Sequence, residues 1–278
     1  MTSPLILHPP FLLALVLAAS IGGIGLALKW LSRSGAAATS VIGTIIFWLG
    51  GGPAAMALAA FFVSSSVLSA VRKVGRKSSV AVTNNGRDMW QVLANGGVGA
   101  LIVLAHRLLA FRVPLDTTHV LGLLYVASLA AVNADTWATE IGRLSGVQPR
   151  LLSTWRKAPA GISGGISLPG TIASALGAAF IPLTVYRLFD LSTAEFVAIA
   201  WAGFLGSLLD SILGAGVQGQ FRSTDTGEVG DTPVIHGKPA LLIRGLPWFD
   251  NNLVNFCCSA GGAIFCWLLL TYALRGYM

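Results

Sequence analysis

Residues 118–142 read THVLGLLYVASLAAVNADTWATEIG, an apolar run that closes on Asn133, Asp135 and Glu140. It is long enough to cross a bilayer, which takes about 20 apolar residues in a helix. Ionisable groups inside hydrocarbon cost several kcal/mol and persist where they face a cavity, a partner or a metal. A spanning helix that ends in two carboxylates therefore implies both a membrane fold and a polar site within it. The rest of the chain agrees. Its 278 residues are 54% hydrophobic and only 10% charged, with mean hydropathy +0.74. Soluble domains carry about 25% charged residues, so this chain cannot coat a water-soluble surface.

Hydropathy broken at Gly, Pro and charge gives an all-α polytopic membrane protein of about eight spans, near 9–29, 35–51, 53–71, 91–111, 118–142, 165–187, 193–217 and 251–274. The second and third are separated only by Gly50-Gly51-Gly52-Pro53 and read equally as a helical hairpin that only just crosses. The first run, Phe11 to Trp30, lacks the basic flank of a signal peptide and reads as a retained span. With eight spans, 14 of 18 Lys and Arg residues fall on one face. The positive-inside rule then puts loops near 72–90, 143–164 and 218–250 in the cytoplasm and both termini outside. The chain reads as one integral membrane domain, 1–278. The net charge of +7 is explained by this orientation, with no nucleic-acid module and no nucleic-acid partner. Cys257, Cys258 and Cys266 fit neither a zinc pattern nor a disulfide framework and read as packing residues. The recurring small residues Gly203, Gly206, Ser207 and Gly214 read as close helix contacts.

The polar residues gather on the cytoplasmic face. Asp135 and Glu140 lie near the end of the fifth span, and Asp210 lies within the seventh. Asp135 and Glu140, five residues apart, are roughly 140° apart around a regular helix. Either the helix unwinds near Trp137 or the two carboxylates serve different ends of the site. A basic segment, Arg72-Lys73-Val74-Gly75-Arg76-Lys77, precedes Asn84, Arg87, Asp88, Gln91 and Asn95. Arg156 and Lys157 precede the segment 161–171, which holds Gly164, Gly165 and Ser167. A basic loop leading into glycines at a helix start suits phosphate, because backbone N–H groups and the helix dipole face the anion. The glycine segment alone also fits a simple turn where the chain enters the membrane, and the basic cluster alone fits a topogenic signal. At the last span, Asp250 or Asn251 suits an N-cap. Asn251 and Asn255 share a face, and Asn252 and Asn255 are candidates to bind phosphate or nucleotide. Carboxylates, amides and guanidinium groups on one face form the inventory for Mg²⁺-assisted phosphoryl transfer. The four His residues are scattered, which argues against zinc.

The runs Gly86-Arg87-Asp88 with Gln91 to Gly97, Ala134-Asp135-Thr136-Trp137-Ala138-Thr139-Glu140-Ile141-Gly142, Leu209-Asp210-Ser211-Ile212-Leu213-Gly214-Ala215 and Asn251-Asn252-Leu253-Val254-Asn255, with the glycine segment 161–170, resemble the phytyl-phosphate kinase family of the vitamin E (tocopherol) pathway, transmembrane-protein-nineteen-like integral membrane proteins. The resemblance covers roughly 35–274. It departs at Ala160-Gly161-Ile162-Ser163-Gly164-Gly165-Ile166-Ser167, where Gly-Thr-Asn-Gly-Gly-Val-Ser is expected.

The resemblance implies transfer of phosphate from CTP, or another nucleoside triphosphate, to phytyl or a related isoprenyl monophosphate, giving the diphosphate. On this reading Mg²⁺ is the cofactor, held by Asp135 and Asp210, with Glu140 as a third ligand or a supporting carboxylate. Arg87, Arg156 and Lys157 hold phosphates, together with Gly164, Gly165 and Ser167. Asn84, Asn95, Asn252 and Asn255 orient nucleotide or acceptor. The lipid tail lies between small-residue helices, open to membrane lipid. Two rival readings keep the same residues: a cytidylyltransferase that forms a CDP-lipid and releases pyrophosphate, and a transporter of an anionic solute. The absence of an Arg- and Ser-rich leader favours a prokaryotic plasma membrane, with a thylakoid membrane as the other location.

Overall fold

A computed structural model describes residues 9–75, 86–110, 115–152, 154–157 and 162–275. Among the described residues seven helices are formed: α1 (Phe11–Ala27), α2 (Arg33–Gly75), α3 (Met89–Leu109), α4 (Leu115–Leu144), α5 (Leu168–Val185), α6 (Thr193–Gly216) and α7 (Asn251–Arg275). Six of them, α2 to α7, include stretches long and apolar enough to cross a membrane, and α1 is a shorter apolar helix of 17 residues.

The long α2 is two limbs. Gly51 breaks its helical dihedrals at φ 70°, ψ −169°, a conformation that L side chains resist and glycine adopts freely. Pro53 then restarts the helix, where its missing N–H costs nothing. The limbs double back on each other. A Cβ at Gly35, near the start of α2, would lie 1.9 Å from the carbonyl oxygen of Arg87. The Nη1 of the same Arg87 donates to the hydroxyls of Ser65 and Ser66, near the other end, both at 3.2 Å. The Gly50–Pro53 break thus closes a helical hairpin, and the described residues hold eight apolar helical segments, in line with the sequence reading.

The centre of the bundle is α4, which packs against α2, α3, α5, α6 and α7. From Leu129 to Ala134 every residue of α4 is buried. Hydrocarbon gives helices no hydrophobic reason to associate, so van der Waals fit must do it. Small residues supply that fit. A Cβ at Gly203 would stand 2.8 Å from Ala130 Cβ, and one at Gly262 would stand 2.6 Å from Ala127 O. Gly206 packs against Ala131 and the Cys258 carbonyl in the same way. Cys258 and Cys266 are buried free thiols, consistent with a packing role.

Strands also occur, although the sequence reading had only helices and loops. β1 (Arg150–Leu151) pairs antiparallel with β2 (Gly165–Ile166). Between α6 and α7 stand β3 (Gln220–Ser223), β4 (Val229–Gly230), β5 (Val234–Ile235) and β6 (Lys238–Arg244), which form one antiparallel sheet in the order β4-β3-β6-β5. Ile235 pairs with Lys238 across the two-residue turn His236-Gly237, both residues at positive φ. That is the geometry that matches strand twist in a tight hairpin. The segment 218–250, expected as a loop, is a small sheet lying over one end of the bundle.

Candidate active site

Two polar cavities lie side by side at that end and share Asp135, Thr139, Arg143 and Asn251 in their walls. One, of about 410 Å³, is lined by α4, α5, α6 and the turn 162–167, and contains Asp210, Ser211 and Asp231. The other, of about 510 Å³, is lined by the α1–α2 turn, the end of α2, the start of α3 and α7. It contains Lys29, Arg72, Arg87, Asn95 and Asn255. One cavity is thus rich in carboxylates and the other in cations, and Asp135 stands between them.

The helix α4 runs unbroken through Trp137, which decides between the two alternatives left by the five-residue spacing. Asp135 turns toward α6, where its carboxyl hydrogen-bonds that of Asp210. Glu140 turns toward α2, where it accepts from Arg72 Nε and from the Ser69 hydroxyl at 2.7 Å. Of the two roles expected for Glu140, third ligand or supporting carboxylate, its place fits the second: rotation around a straight helix carries it away from the aspartates and into a buried ion pair with Arg72. Among the described residues no group of three or more His, Cys, Asp or Glu converges. Between these carboxylates Trp137 packs on Phe180 and against Gly177 of α5, which locks the rotation of α4.

Two carboxyls in mutual contact must share a proton or a cation, because both cannot stay ionised unshielded. Asp210 Oδ2 is buried and has no hydrogen-bond partner among the described residues. Mg²⁺ uses oxygen ligands and is commonly held by one or two carboxylates plus substrate phosphates and water. Asp135, Asp210 and the oxygens of Thr139, Ser211 and Asn251 in the same cavity fit that donor set.

Arg87 is positioned by backbone rather than by a helix. Its N–H donates to Trp30 O at 2.9 Å, and its carbonyl accepts from Ser32 N at 3.0 Å, which ties α3 to the α1–α2 turn. Asp88 and Gln91 then close a reciprocal capping box at the start of α3. Burial pulls the Arg87 guanidinium below its ordinary value, while the charge of Glu140 opposes this.

On the carboxylate side, Gly164 at φ +78° lies so close to α6 that a Cβ would sit 2.3 Å from Ala215 N. Ser167 caps α5, its oxygen accepting from Gly170 N at 3.3 Å. Gly164, Gly165 and Ser167 do line the cavity. Asp231, carried in from the sheet, accepts from the Ser163 hydroxyl at 2.7 Å. Burial pushes its carboxyl above the ordinary value, with Ser163, Arg143 and Arg244 opposing. Arg244 in turn donates to Gly214 O at 2.8 Å and satisfies a carbonyl at the end of α6.

Asn95 and Asn255 line the basic cavity. Three other expected site residues, Arg156, Lys157 and Asn252, stand outside the two cavities. Arg156 and Lys157 sit on an exposed turn outside both cavities, because the β1–β2 pairing holds that turn away from the bundle. Asn252 faces an apolar groove between α2, α3 and α7, rotated off the face that carries Asn251 and Asn255. Asp250 caps α7, accepting from Leu253 N at 3.0 Å, which frees Asn251 for the site. Asn84 lies outside the described residues. The sequence reading missed Lys29, Thr139, Arg143, Asp231 and Asn251 as site residues. The four-residue spacing of Asn251 and Asn255 was a usable signal for one of them. Asp231 had none once the sheet had been read as loop.

Residues 16–263 match the integral membrane protein DUF92 family. Protein PGR of Arabidopsis thaliana is 33% identical over 248 residues, 82% of this chain and 85% of the relative. An uncharacterized membrane protein of Methanocaldococcus jannaschii is 31% identical over 187 residues, 67% of this chain and 74% of the relative. Protein VTE6, chloroplastic, of Arabidopsis thaliana is 24% identical over 258 residues, 92% of this chain and 70% of the relative. No solved structure matches the chain.

Proposed function

Because the chain belongs to the integral membrane protein DUF92 family, we propose that it is a membrane-embedded phosphotransferase that moves the terminal phosphoryl group of a nucleoside triphosphate, with CTP as the first candidate, onto an isoprenyl monophosphate. The resemblance to the phytyl-phosphate kinase family supports that choice, and Protein VTE6, chloroplastic, aligns with nine-tenths of the chain. The observation that carries the proposal is the pair of abutting cavities, one with two touching carboxyls and one with four cations, divided by Asp135, Thr139, Arg143 and Asn251. A donor and an acceptor that both carry phosphate need such a boundary. There the two anions must be held within reach and their repulsion offset.

The acceptor phosphate lies in the basic cavity, held by Lys29, Arg87 and Arg143 and oriented by Asn95 and Asn255. The nucleotide phosphates lie in the carboxylate cavity, where Asp135 and Asp210 would hold Mg²⁺ and the turn 162–167 offers hydroxyl and backbone groups. Mg²⁺ bound there would offset the charge of the nucleotide phosphates as the terminal group is transferred. An acceptor oxygen attacks the terminal phosphorus, a new P–O bond forms, and the bond to the nucleoside diphosphate breaks. The acceptor is already anionic at neutral pH, so no general base is required. Positioning and charge neutralisation supply the rate. The site faces the cytoplasm on the positive-inside reading.

The test is purified protein with phytyl phosphate, Mg²⁺ and CTP labelled in its terminal phosphate. Label in the lipid diphosphate with release of CDP is the expected result. Pyrophosphate with a CDP-lipid would replace the kinase with a cytidylyltransferase, and no labelled lipid with any nucleotide or prenyl phosphate would remove both.

A further inference from the structure

We infer that the hydrocarbon tail of the phosphorylated substrate occupies the apolar cavity enclosed by α1, the α2 hairpin and the start of α3, and that residues of the second α2 limb gauge its length. The inference rests on the proposed function for the identity of the head group. The cavity holds about 640 Å³, and its walls carry Ile21, Phe47, Met56, Leu58 and Phe62. At its mouth stand Trp30, Arg87, Gln91 and Asn95, and the same four residues line the basic cavity. A cation and two amides where an apolar hollow meets a basic one are complementary to an amphiphile with an anionic head and a long tail. Its outer rim, with Leu17, Ile24, Met56 and Val63 exposed, faces what would be lipid, so a tail can enter sideways.

A second apolar groove, of about 680 Å³ between α2, α3 and α7, has Asp250 and Asn252 at its polar edge. No Lys or Arg is among its described lining residues to offset a phosphate beside Asp250, so the groove is unsuited to the same ligand. Within the favoured cavity depth is set by α2. Ser66 contacts Arg87 at the mouth. Ala59 and Ala55 line the wall further down the same limb, about 10 Å and about 16 Å below Ser66 at 1.5 Å per residue. Replacing either alanine by leucine keeps a good helix former and puts a branched side chain at a defined depth.

The experiment measures binding of geranyl, farnesyl and geranylgeranyl phosphate to nanodisc-embedded protein without nucleotide. Ala55→Leu is expected to weaken the longest tail by about tenfold, and Ala59→Leu to weaken the two longer tails by a similar factor, with geranyl phosphate unchanged. Geranyl phosphate binding also reports that each variant is folded. Independently, a prenyl phosphate with a photoreactive tail end should label α1 and the two limbs of α2 in the wild type, and farnesyl phosphate but not farnesol should suppress that labelling. Equal effects on all three tails, no effect, or labelling confined to the groove beside Asp250 would overturn the inference. Suppression by farnesol, or equal labelling by a diacyl lipid with the same tail end, would also overturn it, by showing a general lipid site. Length-dependent binding with no turnover on any nucleotide would instead sink the kinase reading and leave the tail site standing.

Discussion

At the residue scale the carboxylates divide by partner, and their partners predict different responses. Asp135 and Asp210 face each other where two phosphate-bearing substrates would meet. Asp135→Asn and Asp210→Asn should each lower turnover by at least about a hundredfold, with size-exclusion profile and melting temperature near those of the wild type. Turnover within a few-fold of wild type in either would refute the assigned roles. Glu140 behaves differently because its side chain, only 9% exposed, is paired with Arg72. Removing one member of a buried pair leaves a charge uncompensated, at a cost of about 3 kcal/mol. Glu140→Leu should therefore melt well below the wild type, and the double variant Arg72→Met with Glu140→Leu should recover much of the loss. A catalytic rather than structural Glu140 would show normal melting and lost activity instead. Asp231 gives a pH test. Its carboxyl is raised above 3.8 by burial, so the folded state holds the proton more tightly than the unfolded state. That stabilisation is complete below 3.8 and is lost as pH rises through the raised value. Asp231→Asn cannot ionise and should melt above the wild type at neutral pH, the two converging on acidification. A gap independent of pH would show that Asp231 does not titrate in this way.

At the element scale, turns and caps decide where the site residues stand. The α2 hairpin brings Ser66 and Arg72 back to the end where Gly35 began, and so builds one wall of the basic cavity from a segment that had already crossed. The turn 162–167 lies on the end of α6 because Gly164 allows it. Gly164→Ala would put a Cβ 2.3 Å from Ala215 N in a conformation L residues resist. Displacement of the turn should spoil the carboxylate cavity and leave the basic one in place. The expected outcome is at least about tenfold weaker nucleotide binding, with binding of prenyl phosphate within a few-fold of wild type. Equal loss of both ligands would show that the turn supports the whole bundle. The sheet contributes Asp231 and, through Arg244, a hydrogen bond to the end of α6.

At the scale of the whole molecule, all these groups meet at one end of a bundle organised around α4, and the opposite end holds turns such as the one at Asp190. The positive-inside reading makes the site end cytoplasmic. In a variant with Cys257, Cys258 and Cys266 replaced by alanine, a cysteine at Thr226 should resist a membrane-impermeant maleimide in intact cells and react in inverted vesicles. A cysteine at Asp190 should do the reverse, and the opposite pattern would invert the topology. The membrane fold, the apolar segments and the gathering of polar residues at one face were legible in the sequence. Hydrocarbon imposes its cost on each segment separately, so local composition decides whether a stretch can cross. Even the hairpin at Gly50–Pro53 was visible, since glycine and proline act locally. Partner choice was not legible. Whether Glu140 joins Asp135 or Arg72, whether Asn251 or Asn252 faces the site, and how Asp231 arrives from a sheet all depend on helix rotation and on strand pairing between distant residues. The contacts that set these, among them Trp137 on Gly177, Gly203 on Ala130 and Gly164 on Ala215, exist only when the segments are assembled, so only the tertiary structure decides them.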